Sequence, residues 1–185
     1  EQILNTNLFD FDEIESHEDW LKSELSAKSP ETEEYGITSF IYKRRQPFHP
    51  ELFWKLIAKR WPGVIRSKGN FWIASRPDSI GVWSQAGGSC SAFFEGKWFA
   101  SLPENKWSFE TQKDLDLFQK NWYKKFGDRE QEILLIGKDM DHKKVTESLD
   151  ACLLTSEQLK KGFDFWCQYG DKFEDDLDGQ KMIEG

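Results

Sequence analysis

The side chains that could bind a metal ion or act as nucleophiles are three histidines and three cysteines, scattered along the chain. They are His17, His49, His142, Cys90, Cys152 and Cys167. No two have the close spacing typical of a zinc site, and an odd, scattered set of cysteines is unlike a disulfide framework. His49, Cys90 and His142 are weak candidates for a shared metal site, and Cys90 with His49 is a candidate nucleophile pair. The alternative is that the thiols are buried and reduced and that His49 caps a helix.

Motifs for nucleotide, zinc-protease or serine-hydrolase chemistry do not occur in the sequence. There is no Gly-x-x-x-x-Gly-Lys-Ser/Thr phosphate loop, no His-Glu-x-x-His and no nucleophile elbow. The glycine pair at 87–88 lacks the lysine and the following helix that a phosphate loop needs. We therefore expect this chain by itself not to be an enzyme.

A second group of side chains could bind another protein, and it lies around a predicted hairpin at residues 64–88. Arg66 and Lys68 share one strand parity, and Trp83 and Gln85 share another on the neighbouring strand. Such residues are either solvated on a sheet face or form a docking surface, with Trp72 and Trp83 as anchors. We take these five residues as the candidate partner-binding site.

RNA binding is the alternative function for the same sheet. The run at 68–74, KGNFWIA, resembles the basic, glycine-containing aromatic strand of RNA-recognition domains. In that strand two stacking rings lie two residues apart, and here those positions are Asn70 and Trp72, so one ring is missing. Nucleic acid is therefore the less favoured partner.

Charge also separates the chain into regions. The net charge is −8, yet residues 35–100 contain ten basic and three acidic side chains. Residues 1–34 contain eleven acidic side chains and two basic ones. This distribution favours intramolecular docking or an acidic protein partner over DNA, whose phosphates the acidic flank would repel. No apolar run approaches the roughly 18 residues of a membrane span, so we expect no membrane contact.

The elements that position these residues follow the order strand, helix, strand, strand, helix, strand. They are expected at 35–45, 51–60, 64–75, 80–85, 112–126 and 131–137, with extra helices at 141–149 and after Thr155. The order predicts an α+β, ferredoxin-like β-α-β-β-α-β antiparallel sheet with helices on one face and extra C-terminal helices. The strand at 35–45 carries apolar groups on both sides, which predicts an interior position. We divide the chain into an acidic connector (1–34), this domain (35–168) and an acidic, disordered tail (169–185).

Five stretches in order resemble landmarks of the C-terminal domain of CobW-type GTPases, a family of metal chaperones. They are YGITSFIYKRRQPFHPELFW (35–54), WPGVIRSKGNFWIASRPD (61–78), VWSQAGG (82–88), FGDREQEILLIG (126–137) and LDACLLTSEQL (149–159). The opening NLFDFDEIE resembles the connector that leaves the GTPase domain.

The resemblance implies that a GTPase domain with a phosphate loop and a Cys-x-Cys-Cys metal motif precedes this chain, since neither motif is present here. GTP, Mg and a transition metal, zinc or cobalt, would then belong to a cytoplasmic parent protein. The family's histidine-rich tracts are absent as well. What the resemblance implies for this chain is a non-catalytic auxiliary domain. Its partners would be its own GTPase domain and a client metalloprotein during metal-ion delivery.

Overall fold

Six β-strands form one sheet in the computed structural model of this chain, which describes residues 36–109, 111–173 and 182–184. They are β1 (Ile37–Arg44), β2 (Val64–Phe71), β3 (Ser79–Ala86), β4 (Ser89–Lys97), β5 (Gln131–Lys138) and β6 (Met182–Glu184). Their order across the sheet is β1-β5-β2-β3-β4-β6, and every neighbouring pair is antiparallel. The predicted α+β class with an antiparallel sheet is confirmed.

The predicted hairpin is present as β2 and β3. Its turn is closed by a hydrogen bond from Ser79 N to Arg76 O (3.2 Å). Pro77 fixes its own backbone angle at this turn, as the sequence indicated. The next turn is tighter, because only Gly87 and Gly88 separate β3 from β4, and Gly87 has a φ of 58°.

β1 lies at the edge of the sheet, so the prediction of an interior strand is wrong. Among the described strands it pairs with β5 alone, because β5 lies between β1 and β2. Tyr42 is buried beneath the helices, while Ile41 on the other side is half-buried beside Leu134. Apolar side chains on both faces of β1 therefore do not require a neighbouring strand along each of its edges.

Five α-helices lie in the described part of the chain. They are α1 (Pro50–Ile57), α2 (Gln112–Asn121), α3 (His142–Asp150), α4 (Ser156–Lys160) and α5 (Phe163–Trp166). α1 and α3 contact each other and cover one face of the sheet, with Phe53 and Leu149 fully buried in a cluster that includes Phe71 and Trp83. We call this the covered face and the opposite side the outer face. The extra helices expected at 141–149 and after Thr155 are α3 and α4, whereas α5 was not predicted; Thr155 and Gln158 form the predicted capping box.

α2 does not cover the sheet, which differs from its expected role. It ends at Asn121, five residues before the predicted end at 126, and none of its residues is buried. The ring of Phe118 packs on Phe99 and Trp107, with 5.2 Å between centroids in each case. Trp122 is extended and a turn follows, so Phe126 joins a different cluster.

The segment after α5 is part of the fold, so the prediction of a disordered tail from 169 onward is wrong for its described residues. Asp171 accepts hydrogen bonds from Ser75 Oγ (2.6 Å) and Arg76 Nε (3.1 Å). Phe173 is 4% exposed and packs edge-on against Trp54 at 5.0 Å. The backbone of β6 pairs with β4. The connector at 1–34 lies outside the described residues.

Candidate functional site

Arg66 and Lys68 lie on the outer face, where the sequence placed them together. In the sheet register Arg66 is opposite Ala86 and Ile136, and Lys68 is opposite Ser84 and Leu134. Arg66 is exposed and Lys68 is half-buried. These two cations therefore lie on a side of the sheet that α1 and α3 do not cover.

Trp83 lies on the covered face, so its prediction as an exposed anchor is wrong. Its side chain is 1% exposed, and its Nε1 donates to Ser67 Oγ at 2.7 Å. The reason is the register: Trp83 is opposite Gly69 on the side of the sheet that α1 covers, and its ring lies 6.2 Å from that of Phe53. Gln85 lies on the same side and accepts a hydrogen bond from Ser67 Oγ at 2.9 Å. Trp83 and Gln85 therefore do not share a surface with Arg66 and Lys68.

Trp72 is also buried, and its expected role as an anchor is wrong for a different reason. β2 ends at Phe71, and Trp72 enters a second core cluster at 0% exposure. The side-chain amide of Gln131 binds both backbone groups of Trp72, at 3.0 Å to its N and 2.9 Å to its O. The guanidinium of Arg129 lies 6.0 Å from the ring centroid, and burial lowers the pKa of Arg129. With Trp72 inside, the RNA-binding alternative loses its remaining stacking ring.

The three metal-ligand candidates lie on different elements. His49 precedes α1 beside the ring of Tyr169 (4.7 Å), and burial lowers the pKa of His49. Cys90 is buried in the main core cluster, and burial raises the pKa of its thiol. His142 begins α3, with its Nε2 2.8 Å from Thr38 Oγ1. Within residues 36–109 and 111–173, no three His, Cys, Asp or Glu side chains are grouped to hold a metal ion. The three candidates therefore do not form one site.

Sequence reasoning missed the loop between α1 and β2, which we call the Trp61 loop (residues 58–63). The Trp61 ring stacks on Trp83, with 5.7 Å between centroids and an interplanar angle of 18°, and its Nε1 donates to Leu56 O at 3.0 Å. Gly63 has a φ of 82°, and its carbonyl accepts from Lys138 N at 2.8 Å. A Cβ at Gly63 would lie 2.9 Å from Met140 Cα, so the loop requires glycine to approach the end of β5.

Two clefts flank the Trp61 loop. The hairpin cleft, about 500 Å³, lies between the loop and the β3–β4 turn and includes Gln85 and Cys90 in its lining. The α1–α3 cleft, about 630 Å³, lies between the loop and the start of α3. Its apolar wall contains Leu56, Trp61, Val145 and Leu149. The sequence feature that could have pointed to these clefts is the adjacent cation pair, Lys59 and Arg60, directly before Trp61 at the end of α1.

Charged side chains of both signs line the α1–α3 cleft, with cations in excess. They are Lys59, Arg60, Lys138, Lys144, Asp139 and Asp141. Asp141 caps α3 by accepting from Lys144 N at 3.0 Å, and this backbone hydrogen bond lowers the pKa of Asp141. Lys144 Nζ also lies 3.4 Å from Asp141 Oδ2. An apolar wall with a cationic rim is complementary to an acidic segment that carries apolar side chains.

Residues 37–153 match the family described as "Cobalamin synthesis protein cobW C-terminal domain". The chain belongs to this family. The match begins with β1 and ends just after α3, so it includes the outer face, the Trp61 loop and both clefts. Residues 154–173 of this CobW C-terminal domain, which complete the second core cluster, follow the matched range.

Two curated relatives of the CobW C-terminal domain have names that contain zinc. "Zinc-regulated GTPase metalloprotein activator 1" of Dictyostelium discoideum is 44% identical over 170 residues, which are 89% of this chain and 35% of the relative. "Zinc chaperone Rv0106" of Mycobacterium tuberculosis is 28% identical over 137 residues, 72% of this chain and 33% of the relative. The chain therefore spans about a third of the length of these relatives.

Among solved structures, the crystal structure of Zn(II)-bound YjiA GTPase from E. coli is similar at a TM-score of 0.44 and 11% identity. The similarity covers 68% of this chain and 32% of that chain. The family assignment of the CobW C-terminal domain comes from the match over residues 37–153. In the described part of the chain, no helix has the length and apolarity to cross a lipid bilayer.

Proposed function

We propose that this CobW C-terminal domain is the non-catalytic auxiliary domain of a cytoplasmic GTPase metallochaperone. It contacts the GTPase domain, a client metalloprotein or both during metal-ion delivery. The observation that carries this proposal is the family match over residues 37–153. The proposed role in metal delivery is supported by the 44% identical relative, whose name combines zinc regulation, a GTPase and a metalloprotein activator. Because the chain spans 35% of that relative, GTP, Mg and their chemistry belong in this proposal to the rest of the parent protein.

The metal in this proposal is zinc. The names of two curated relatives contain zinc, whereas cobalt rests on the sequence resemblance and on the word cobalamin in the family's description. We place the metal outside the described residues of this chain, because no three candidate ligands are grouped among them. The domain's contribution is then to recognise partners rather than to bind the ion.

The outer face around Arg66 and Lys68 is the partner surface in this proposal. Val82 and Phe93 are opposite each other in the register on this face, and both are half-buried. Partly exposed apolar groups beside cations resemble the composition of transient protein interfaces, where Arg is enriched. An acidic patch on the GTPase domain or the client would complement this surface.

Isothermal titration calorimetry of the chain against the parent's GTPase domain, and then against the client, tests this proposal. We expect Arg66→Glu/Lys68→Glu to weaken binding by roughly tenfold or more, because like charges would meet the partner's acids. The matched control is Lys113→Glu/Lys120→Glu, which makes the same charge change on exposed positions of α2. An equal loss in both variants would contradict the surface, and the absence of binding to either partner would contradict the function.

Two further measurements separate the non-catalytic role from the alternatives. The purified chain should not release phosphate from GTP, and hydrolysis that survives a second purification step would overturn the proposal. Single-stranded RNA should not bind with a steep salt dependence, which is the signature of phosphate contacts.

A further inference from the structure

Five of the ten cations of residues 35–100 form ion pairs with described acids of the domain. Lys43 contacts Glu130 at 3.1 Å, and the Arg44 guanidinium binds both oxygens of Asp150 at 2.8 and 2.9 Å. Other pairs are Arg45–Glu130, Lys55–Glu51 and Arg76–Asp171. The basic character of residues 35–100 is therefore partly neutralised within the fold.

Lys59 and Arg60 are different, because both are exposed and neither forms an ion pair with an acidic side chain of the described residues. They lie at the rim of the α1–α3 cleft, beside the half-buried side chains of Leu56 and Val145. Two adjacent cations cost folding energy through mutual repulsion unless a counter-charge approaches. The cleft thus combines an apolar wall with an excess of positive charge, four cations against Asp139 and Asp141, and the two cations Lys59 and Arg60 form no ion pair with an acid of the described residues.

The chain enters the described domain at this same cleft. Gly36 O accepts a hydrogen bond from Asp139 N at 3.0 Å, and Asp139 lines the cleft. The first residue of β1, Ile37, is opposite Lys138, which lines it as well. Residues 1–35 are therefore tethered at the rim of the α1–α3 cleft.

The tethered segment has a composition complementary to that of the cleft. Between positions 8 and 25 it reads LFDFDEIESHEDWLKSEL, in which apolar residues are interspersed with seven acids and a single lysine. A random-coil chain of about eleven residues, the separation between position 25 and Gly36, has a root-mean-square span of roughly 18 Å. A tether of that length gives an effective concentration on the order of millimolar, which favours intramolecular contact.

We propose that residues 8–25 dock in the α1–α3 cleft of the same chain. Apolar side chains of the segment cover Leu56, Trp61 and Val145, and its carboxylates lie beside Lys59 and Arg60. The occupant is this chain's own acidic segment because that segment combines complementary charge with a covalent attachment at the rim. This inference is independent of the partner proposed for the outer face.

A spin label on the segment tests the proposal in the full 185-residue chain. The label is attached to Ser16→Cys in a Cys167→Ser background, since Cys167 is exposed and Cys90 and Cys152 are buried. We expect the nitroxide to broaden the amide NMR signals of Trp61, Lys144 and Val145 on the cleft. Broadening concentrated at Arg66 and Lys68, or spread evenly over the domain, would overturn the proposal.

Charge reversal supplies the matched comparison. Lys59→Glu/Arg60→Glu should reduce the broadening at Val145 about fivefold, because two charge contacts of modest strength are replaced by repulsion. Lys113→Glu/Lys120→Glu, with the same charge change on α2, should leave the broadening unchanged. Thermal unfolding of both variants checks that the fold is retained. Equal loss of broadening in the two variants would overturn the specific contact.

Mixing isotope-labelled chain without a nitroxide with nitroxide-bearing chain without isotope label distinguishes the occupants. Intramolecular docking predicts no broadening in this mixture. Broadening of Trp61 and Val145 in the mixture would assign the cleft to a second copy of the chain and overturn the proposal.

Discussion

The covered face and the outer face of the sheet are built from alternate residues of the same strands, yet they are packed differently. On the covered face Gly69 is opposite Trp83, and Gly81 is opposite Phe71. The Phe71 ring packs against Gly81, where a Cβ would lie 2.5 Å from it, and both rings are buried beneath α1. Gly81 is therefore part of the packing of the aromatic core, while Gly69 allows the close approach of the β5 backbone.

On the outer face β3 places small residues opposite the cations, while β5 places Ile136 and Leu134 on their other side. Arg66 is opposite Ala86, and Lys68 is opposite Ser84. These small neighbours leave room for the long side chains to extend towards solvent or a partner. The comparison teaches that one face carries the stability and the other carries the candidate recognition surface, and it can be tested by substitution on each face.

The largest expected effect is on the covered face. Trp83→Ala should lower the free energy of unfolding by about 3–5 kcal/mol, because a fully buried ring is lost and a cavity remains. Arg66→Ala on the outer face should change it by less than about 1 kcal/mol. Urea denaturation followed by circular dichroism measures both. Similar losses at the two positions would contradict the division between the faces.

Phe173→Ala tests how far the covered face extends along the chain. Phe173 contacts the rings of Phe53, Trp54 and Phe94, so its loss should cost about 3 kcal/mol in the free energy of unfolding. Lys172→Ala, one residue away and exposed, should stay within about 0.5 kcal/mol. If both substitutions are neutral in urea denaturation, the core ends before this segment.

Glycine substitution gives an intermediate effect. A Cβ at Gly81 would lie 2.5 Å from the Phe71 ring, so Gly81→Ala should cost about 1–3 kcal/mol through overpacking. A Cβ at Gly88 would meet no atom within 4 Å, and Gly88→Ala should change stability by no more than about 0.5 kcal/mol. Thermal melts of the two variants check the difference, and equal melting temperatures would refute it.

The smallest expected effect concerns the start of α3, which covers the sheet. The backbone N–H of Lys144 lowers the pKa of Asp141, so the ionised cap stabilises the fold above the unfolded-state pKa of about 4. That contribution is lost as the pH falls through the lower pKa of the folded state. Asp141→Asn should therefore be less stable than the wild type at neutral pH, and the difference should shrink in acid. A difference in urea midpoint that does not change with pH would contradict this role.

Local features were predictable from the sequence because their causes are local. The turn at 76–79 follows from Pro77 and Asp78, and the capping box at Thr155 follows from residue types three positions apart. The family was also recognisable, because five ordered stretches resembled it and the match over 37–153 confirmed it. The helix at 51–60 was placed within a few residues of α1.

The burial of Trp72 and Trp83 was not predictable in the same way. Strand parity groups Arg66 with Lys68, but it does not relate them to a residue on another strand until the register is known. The register places Trp83 over Gly69, and the side chain of Gln131, 59 residues away, holds Trp72 inside. Both facts depend on contacts that are distant in sequence.

The sequence by itself determined the hairpin, the alternation along each strand, the helix caps and the family, since these depend on residue types within a few positions of one another. Only the tertiary structure decided that β1 is an edge strand, that Phe173 completes the core and that the Trp61 loop borders two clefts. The physical reason is that a strand alternates its side chains whatever packs on it. Which side becomes the core is decided by the helices that pack there, and here those are α1 and α3, whose partners lie far along the chain.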